Sequence, residues 1–161
     1  MGDRAEDGPG LSVRRGGPAD AGFIVGLGAT AFERFGDYGP IMEAFLASPD
    51  VTAYVAWEGA ERAGFALVDA PASHPGLADL VAIAIVAGRR RKGIGRALLA
   101  HVIADRERLR RPSLLLLTVA GDNDAAITLF RSEGFEQIPG ATGRYAGGQE
   151  SWQMVRPVPR R

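Results

Sequence analysis

A run of charge and glycine, Arg89-Arg90-Arg91-Lys92-Gly93-Ile94-Gly95, separates an apolar stretch from an amphipathic one. Glycine permits positive φ and close backbone approach. A turn entering a helix here leaves N–H groups free and carries partial positive charge. The basic side chains beside it strengthen the attraction for an anion. The chemistry is that of a phosphate or pyrophosphate cradle. A dinucleotide fingerprint needs a third glycine, and Leu98 occupies that place; the Gly-Lys-Ser/Thr of a P-loop is also missing. On these residues alone, a glycine-containing strand–helix turn with solvated arginines is the competing reading.

Few other residues offer reactive chemistry. There is no cysteine, which removes disulfides, thiolate metal sites and a cysteine nucleophile. His74 and His101 lie far apart in sequence, so no metal site is expected. His74 reads as a loop residue and His101 as a helix-surface residue. Asp79 opens an apolar run and is either a base or a solvated acid marking a strand start. Glu33, Asp37 and Glu43 are further carboxylates without a ranking. Asn123 precedes a helix and suits an N-cap as well as a ligand contact. Tyr145 sits in a Gly-rich stretch, where a hairpin aromatic is the plain alternative to an acid.

The elements that must position these residues follow from periodicity. Leu11–Arg15 reads as a strand, and Pro18-Ala19-Asp20 as a turn into a helix carrying Phe23, Ile24 and Leu27. Ile41, Met42, Phe45 and Leu46 share one helical face, and Phe35–Pro40 interrupts the pattern as a loop. Val51–Glu58 and Arg62–Val68 form a predicted hairpin around Gly59-Ala60-Glu61. Asp79–Val86 and Ser113–Val119 are continuous apolar runs, as strands buried on both faces require. A helix is predicted over residues 93–110, and another starting at Asp122-Asn123-Asp124 and stopped by Gly134. Phe135–Ile138 and Ser151–Val155 close the order, with Gly-rich residues 140–148 as their connection. The aromatic stretch Phe32, Phe35, Tyr38 and Phe45 is an apolar-lined pocket, a homodimer surface or core.

The order is β-α-α-β-β-β-α-β-α-β-β, an α/β (α+β mixed-sheet) single domain. Residues 1–10 are expected as a disordered tail, 11–157 as the domain and 158–161 as a C-terminal tail.

Two segments carry a family resemblance. Arg90-x-x-Gly93-x-Gly95 resembles the acetyl-CoA signature of the GNAT N-acetyltransferase superfamily, Q/R-x-x-G-x-G/A. Asn123-Asp124-Ala125-Ala126-Ile127-Thr128-Leu129-Phe130 through Gly134-Phe135 resembles that family's second motif, N-x-x-A-x-x-L-Y/F-x-x-x-G-F. The resemblance spans residues 11 to about 157 and is similar to small bacterial single-domain members.

It implies that the fourth and fifth strands splay apart and that acetyl-pantetheine lies between them against the backbone of Ile85 and Val86. Arg90, Arg91, Lys92, Gly93, Ile94, Gly95 and Arg96 would hold the pyrophosphate, Asn123 would reach the pantetheine arm, and Phe130 would border it. It also implies acetyl-CoA as co-substrate, no metal, and a small-molecule or peptide amine as acceptor. Asp79 stands where several members place a catalytic glutamate. Many members carry a tyrosine acid where this chain has Phe130, so either Tyr145, Tyr38 or water donates instead or the thiolate leaves unassisted. A non-catalytic acyl-CoA sensor of the same fold is the alternative, and transfer of a longer acyl chain a third reading.

The 161 residues suffice for one domain with its own core. Formal net charge is zero, so neither nucleic acid nor an anionic membrane is an expected partner. No signal peptide or membrane span is visible, which makes the cytoplasm the default expectation.

Overall fold

The computed structural model describes residues 5–6, 10–109 and 113–159. Eight strands form one mixed sheet: β1 Ala5–Glu6, β2 Leu11–Arg15, β3 Val51–Glu58, β4 Glu61–Asp69, β5 Leu77–Ile85, β6 Ser113–Ala120, β7 Glu136–Arg144 and β8 Glu150–Val158. Their order across the sheet is β1-β2-β3-β4-β5-β6-β8-β7. Helices α1 Ala21–Ala31 and α2 Gly39–Ala47 lie before β3, α3 Ile94–Glu107 joins β5 to β6, and α4 Asp124–Ser132 joins β6 to β7.

Two apolar clusters show how the sheet is sandwiched. One gathers Ile94, Leu98, Leu99 and Val102 of α3 with Ile127 and Phe130 of α4, against Leu80, Leu115, Leu117 and Met154. The other gathers Ile24 of α1 and Met42 of α2 against Val55, Phe65, Leu67, Ala82 and Ala84. In β5 the buried side chains alternate from Ala78 to Ala84. A register shift between Leu67 and Val68 of β4 moves the alternation along β5. As a result Ala78, Leu80, Ile83 and Ile85 pack with the α3 cluster, while Val81, Ala82 and Ala84 pack with α1 and α2.

The decisive feature for function is where pairing stops. β5 and β6 are parallel, and their register runs only from Leu77↔Leu114 to Leu80↔Leu117. β5 continues to Ile85 and β6 to Ala120 without pairing further. The fourth and fifth strands of the predicted order therefore separate, as expected.

Four readings change. Ala5 and Glu6, expected within a disordered tail, pair with Val13 and Ser12; they cover an outer edge of β2 whose backbone groups would otherwise lack partners. Residues 1–4 and 7–9 of that tail lie outside the described residues, as do 160–161 of the C-terminal one. Val158, expected in the C-terminal tail, closes β8, buried and opposite Ser113. β7 runs to Arg144 through Pro139 and Gly140, which read as loop. It is the edge strand, where a missing N–H breaks no ladder, and its register shifts between Gln137 and Thr142. His101 is buried, with Tyr54 edge-on at 5.5 Å, rather than on the surface.

Candidate active site

The split between β5 and β6 opens a cavity of about 350 Å³ lined from both faces of the sheet. Val81, Ala82 and Ile83 form one wall and Thr118, Val119 and Ala120 the other. Asn123, Ala126 and Phe130 approach from α4; Phe32, Phe35, Tyr38, Ile41 and Phe45 approach from α1, α2 and their connection. Asp79 and Tyr145 also line it. Two catalytic candidates far apart in sequence thus share one cavity, and the aromatic stretch forms its wall. Glu33, Asp37 and Glu43 do not line it.

Asp79 sits beside the point of divergence, opposite Leu116 on one side and Asp69 on the other. Its neighbours Ala78 and Leu80 face α3, so alternation turns Asp79 to the α1–α2 side. Burial raises its pKa, and the facing Asp69 carboxylate raises it further. A carboxylate in this state is a better base than one in water.

Tyr145 lies in the connection between β7 and β8, its ring 4.5 Å from that of Phe35. Burial, with Tyr38 adding to it, pushes its phenol up to about 12. The hydroxyl therefore stays protonated at neutral pH and is available as a donor. Tyr38, 5.4 Å from Phe32, is also raised by burial. Phe130 is buried edge-to-face with Phe135 at 5.8 Å. Asn123 fulfils the capping reading: its Oδ1 accepts from the Ala126 N–H at 3.3 Å. It lines the cavity as well, so capping and contact are compatible.

The basic loop lies at the start of α3, beyond the cavity lining. Gly93 is the N-cap at φ +79, a backbone state that favours glycine, and a Cβ there would meet open space. No side chain caps the helix. Its first internal bond runs from Ala97 N–H to the Gly93 carbonyl, so the N–H groups of Ile94, Gly95 and Arg96 have no helical acceptor. Gly95 has a different requirement, because a Cβ would come within 3.2 Å of Leu129 Cδ2.

The side chains divide the work. Arg89 donates to both Glu58 and Glu61, fastening the loop to the β3–β4 hairpin. Lys92 Nζ lies 3.5 Å from the same Glu58. Arg96 Nε is 3.6 Å from Glu133 at the end of α4. Ile94 is buried, so only its backbone faces outward. Arg90 and Arg91 are exposed, and Arg91 has φ +64.

Of the two positions expected to meet a ligand, Ile85 at the end of β5 and Val86 just beyond it, only Ile85 has its backbone free. The Val86 N–H donates to Ala63 at 2.9 Å and its carbonyl accepts from Arg89 at 2.8 Å. The neighbouring register pair Gly64↔Ile85 is then a non-hydrogen-bonded one, which turns the Ile85 N–H and carbonyl away from β4 toward the gap. Ile83 shares that orientation two residues earlier.

A split parallel pair, an uncapped glycine-led helix and a polar cap residue in the gap suit a long, thin ligand with a phosphorylated end. The sequence profile of the Acetyltransferase (GNAT) family matches residues 27–135. The chain belongs to the GNAT acetyltransferase family.

Solved structures agree on the fold. The ribosomal-protein-S18-alanine N-acetyltransferase of Escherichia coli superposes with TM-score 0.77 at 22% identity, over 94% of this chain and 96% of that one. YncA, a putative acetyltransferase from Salmonella typhimurium solved with its cofactor acetyl-CoA, gives TM-score 0.77 at 17% identity, over 95% and 96%. The ribosomal-protein-alanine N-acetyltransferase of Brucella melitensis gives 0.74 at 22%, over 89% and 98%. No curated protein matches the chain in sequence. In this GNAT domain the residues present fit acetyl-CoA: the uncapped α3 N-terminus and the open space at Gly93 suit phosphate, and the gap suits an extended arm. Thr118 and Ala120 had no signal in the sequence, because their position depends on where strand pairing ends. Among the described residues no helix is long and apolar enough to cross a membrane.

Proposed function

We propose that the chain is an acetyl-CoA-dependent N-acetyltransferase that delivers the acetyl group to a primary amine by direct attack. One observation carries this reading: the β5–β6 gap joins a phosphate-suited helix start to a cavity holding a half-buried carboxylate, Asp79. The backbone of Ile85 pairs with the pantetheine arm, and the N–H groups of residues 94–96 with Arg90 and Arg91 hold the pyrophosphate. Acetyl-CoA supplies an activated acyl carbon.

The chain's residues handle the protons. An alkylamine near pKa 10.4 must lose one to react. Asp79 takes it through a water before attack. As nitrogen replaces sulfur on the acetyl carbon, the Tyr145 hydroxyl donates to the departing sulfur, a role Phe130 cannot fill, and the second proton that the nitrogen sheds on becoming an amide restores Tyr145. Asn123 keeps its capping bond and presents the rest of its amide to the arm.

Phe130 also motivates the second reading, an acyl-CoA-binding sensor. Thiol release from acetyl-CoA across a panel of amines separates the two: amine-dependent release supports the enzyme, and tight CoA binding without release on any amine supports the sensor.

A further inference from the structure

We propose that the acceptor is a small monoamine whose nitrogen is carried on an aromatic or comparably apolar body bearing no second charge. This rests on the N-acetyltransferase reading above and adds a substrate class to it.

The first argument is charge. Asp79 is the one carboxylate lining the cavity, and no Arg, Lys or His lines it, among the described residues. A single ammonium finds a single partner. A polyamine or amino sugar would carry further cations into a wall of Phe32, Phe35, Ile41 and Phe45, where an unpaired charge is strongly disfavoured. A free amino acid would bring a carboxylate, and the cation against this wall, Arg34 stacked 4.4 Å over Phe35, is already held by Asp122.

The second argument is shape. The α1–α2 side presents two tilted ring pairs, Phe32 with Tyr38 and Phe35 with Tyr145. Tilted pairs of this kind accept a further ring by edge or offset contact. The whole cavity is about 350 Å³, near the lower end of the range of about 300–1,000 Å³ for small-molecule sites, and part of it must hold the acetyl-pantetheine arm.

The third argument is closure. Three connections are tied together beside the aromatic wall. Arg34 forms a two-bond pair with Asp122, at 3.1 and 3.2 Å, joining the α1–α2 connection to the residue before Asn123. Gln149 Nε2 donates to the Arg34 carbonyl at 2.8 Å, and the Gly147 N–H donates to the Phe35 carbonyl at 3.1 Å. A Cβ on Gly147 would lie 2.1 Å from that Arg34 carbonyl, so the two backbones meet as closely as glycine allows. The bonds hold Phe35 and Tyr145, both of the cavity wall, in one fixed arrangement, which suits a compact amine packed against them.

The test uses the full chain with acetyl-CoA and follows thiol release. The amines are phenethylamine, hexylamine, spermidine, free lysine and a peptide with N-terminal phenylalanine. Phenethylamine and hexylamine should exceed each of the others in kcat/KM by at least about tenfold, the scale on which an apolar pocket discriminates. Ile41 lines the cavity yet is 40% exposed, so Ile41→Glu is tolerated by the fold. It should shift the spermidine-to-phenethylamine ratio by about tenfold toward spermidine. Turnover concentrated on spermidine, lysine or the peptide, or an unmoved ratio in Ile41→Glu, overturns the substrate class and leaves the acetyltransferase standing. No release with any amine, despite acetyl-CoA binding by calorimetry, overturns the enzyme reading and this one with it.

Discussion

Asp79 and Asp69 face each other across the β4–β5 ladder, two carboxylates directly opposed on neighbouring antiparallel strands. Opposed like charges destabilise a sheet unless one is held neutral. Here the pressure falls on Asp79, which burial already disfavours as an anion.

The first prediction is therefore a pH profile. If Asp79 is the base, the acid limb of kcat/KM lies above the usual carboxylate range. Asp69→Asn removes the opposing charge and moves that limb to lower pH. Asp79→Asn lowers kcat/KM by about 100-fold and abolishes the limb. A wild-type rate in Asp79→Asn reassigns the residue to structure.

Stability should move the other way. The folded-state pKa of Asp79 is raised above its unfolded value. Its favourable contribution is complete below the unfolded pKa and is lost as pH rises through the folded one. Asp79→Asn should therefore be more stable than wild type at pH 7, and the difference should vanish in acid. Urea unfolding at pH 4 and pH 7 reads this directly.

The two glycines of the basic loop should fail differently. Gly93 has open space and a positive φ, so Gly93→Ala costs about 1 kcal/mol of backbone strain and no contact. Gly95→Ala must displace Leu129. Gly93→Glu places a carboxylate at the uncapped helix start, and acetyl-CoA affinity by calorimetry should fall at least tenfold. Unchanged affinity removes the pyrophosphate from this loop.

Tyr145→Phe should lower kcat by about 10- to 100-fold if its hydroxyl protonates the leaving sulfur. Phe130→Tyr on that background should restore part of the rate, because Phe130 lines the same cavity. Equal rates for wild type and Tyr145→Phe exclude the role, and Tyr38→Phe then becomes the variant to measure.

A structural control lies across the sheet. The Tyr54 hydroxyl donates to Asp105 at 2.7 Å, and Arg15 donates to the same Oδ2 at 3.0 Å. Tyr54→Phe should cost about 1 kcal/mol of stability by losing that bond, with kcat/KM unaltered. These contacts hold the Asp105 carboxyl below its ordinary range against the opposing effect of burial. The stability they add is present above its unfolded pKa and declines as pH falls through the folded one.

Much of this was legible in residue order. Val51–Glu58 emerges with the predicted bounds, because its β-branched and aromatic content leaves little choice. The basic loop and Asn123 were found because glycine spacing and capping chemistry are local. That β5 leaves β6 was implied only by family resemblance, and the point where it does so was not legible; it is a register event between two strands far apart in sequence, both of which read as apolar runs. Val86 looked equivalent to Ile85 until its N–H was traced to Ala63. His101 misled because the apolar face of α3 is wider than its leucines suggest, extending to where Tyr54 rises from β3. Pro139 signals a break in any interior strand but not on an edge.

The four-position seam between β5 and β6 has a mechanical meaning. Five strands lie on one side of it and three on the other, and among the described residues the two strands at the seam pair from Leu77↔Leu114 to Leu80↔Leu117. The sheet is thus two plates sharing a short hinge. A ligand bridging Ile85 to the β6 side acts as a strut, so its entry should slow amide exchange in both plates at once, including strands that never touch it.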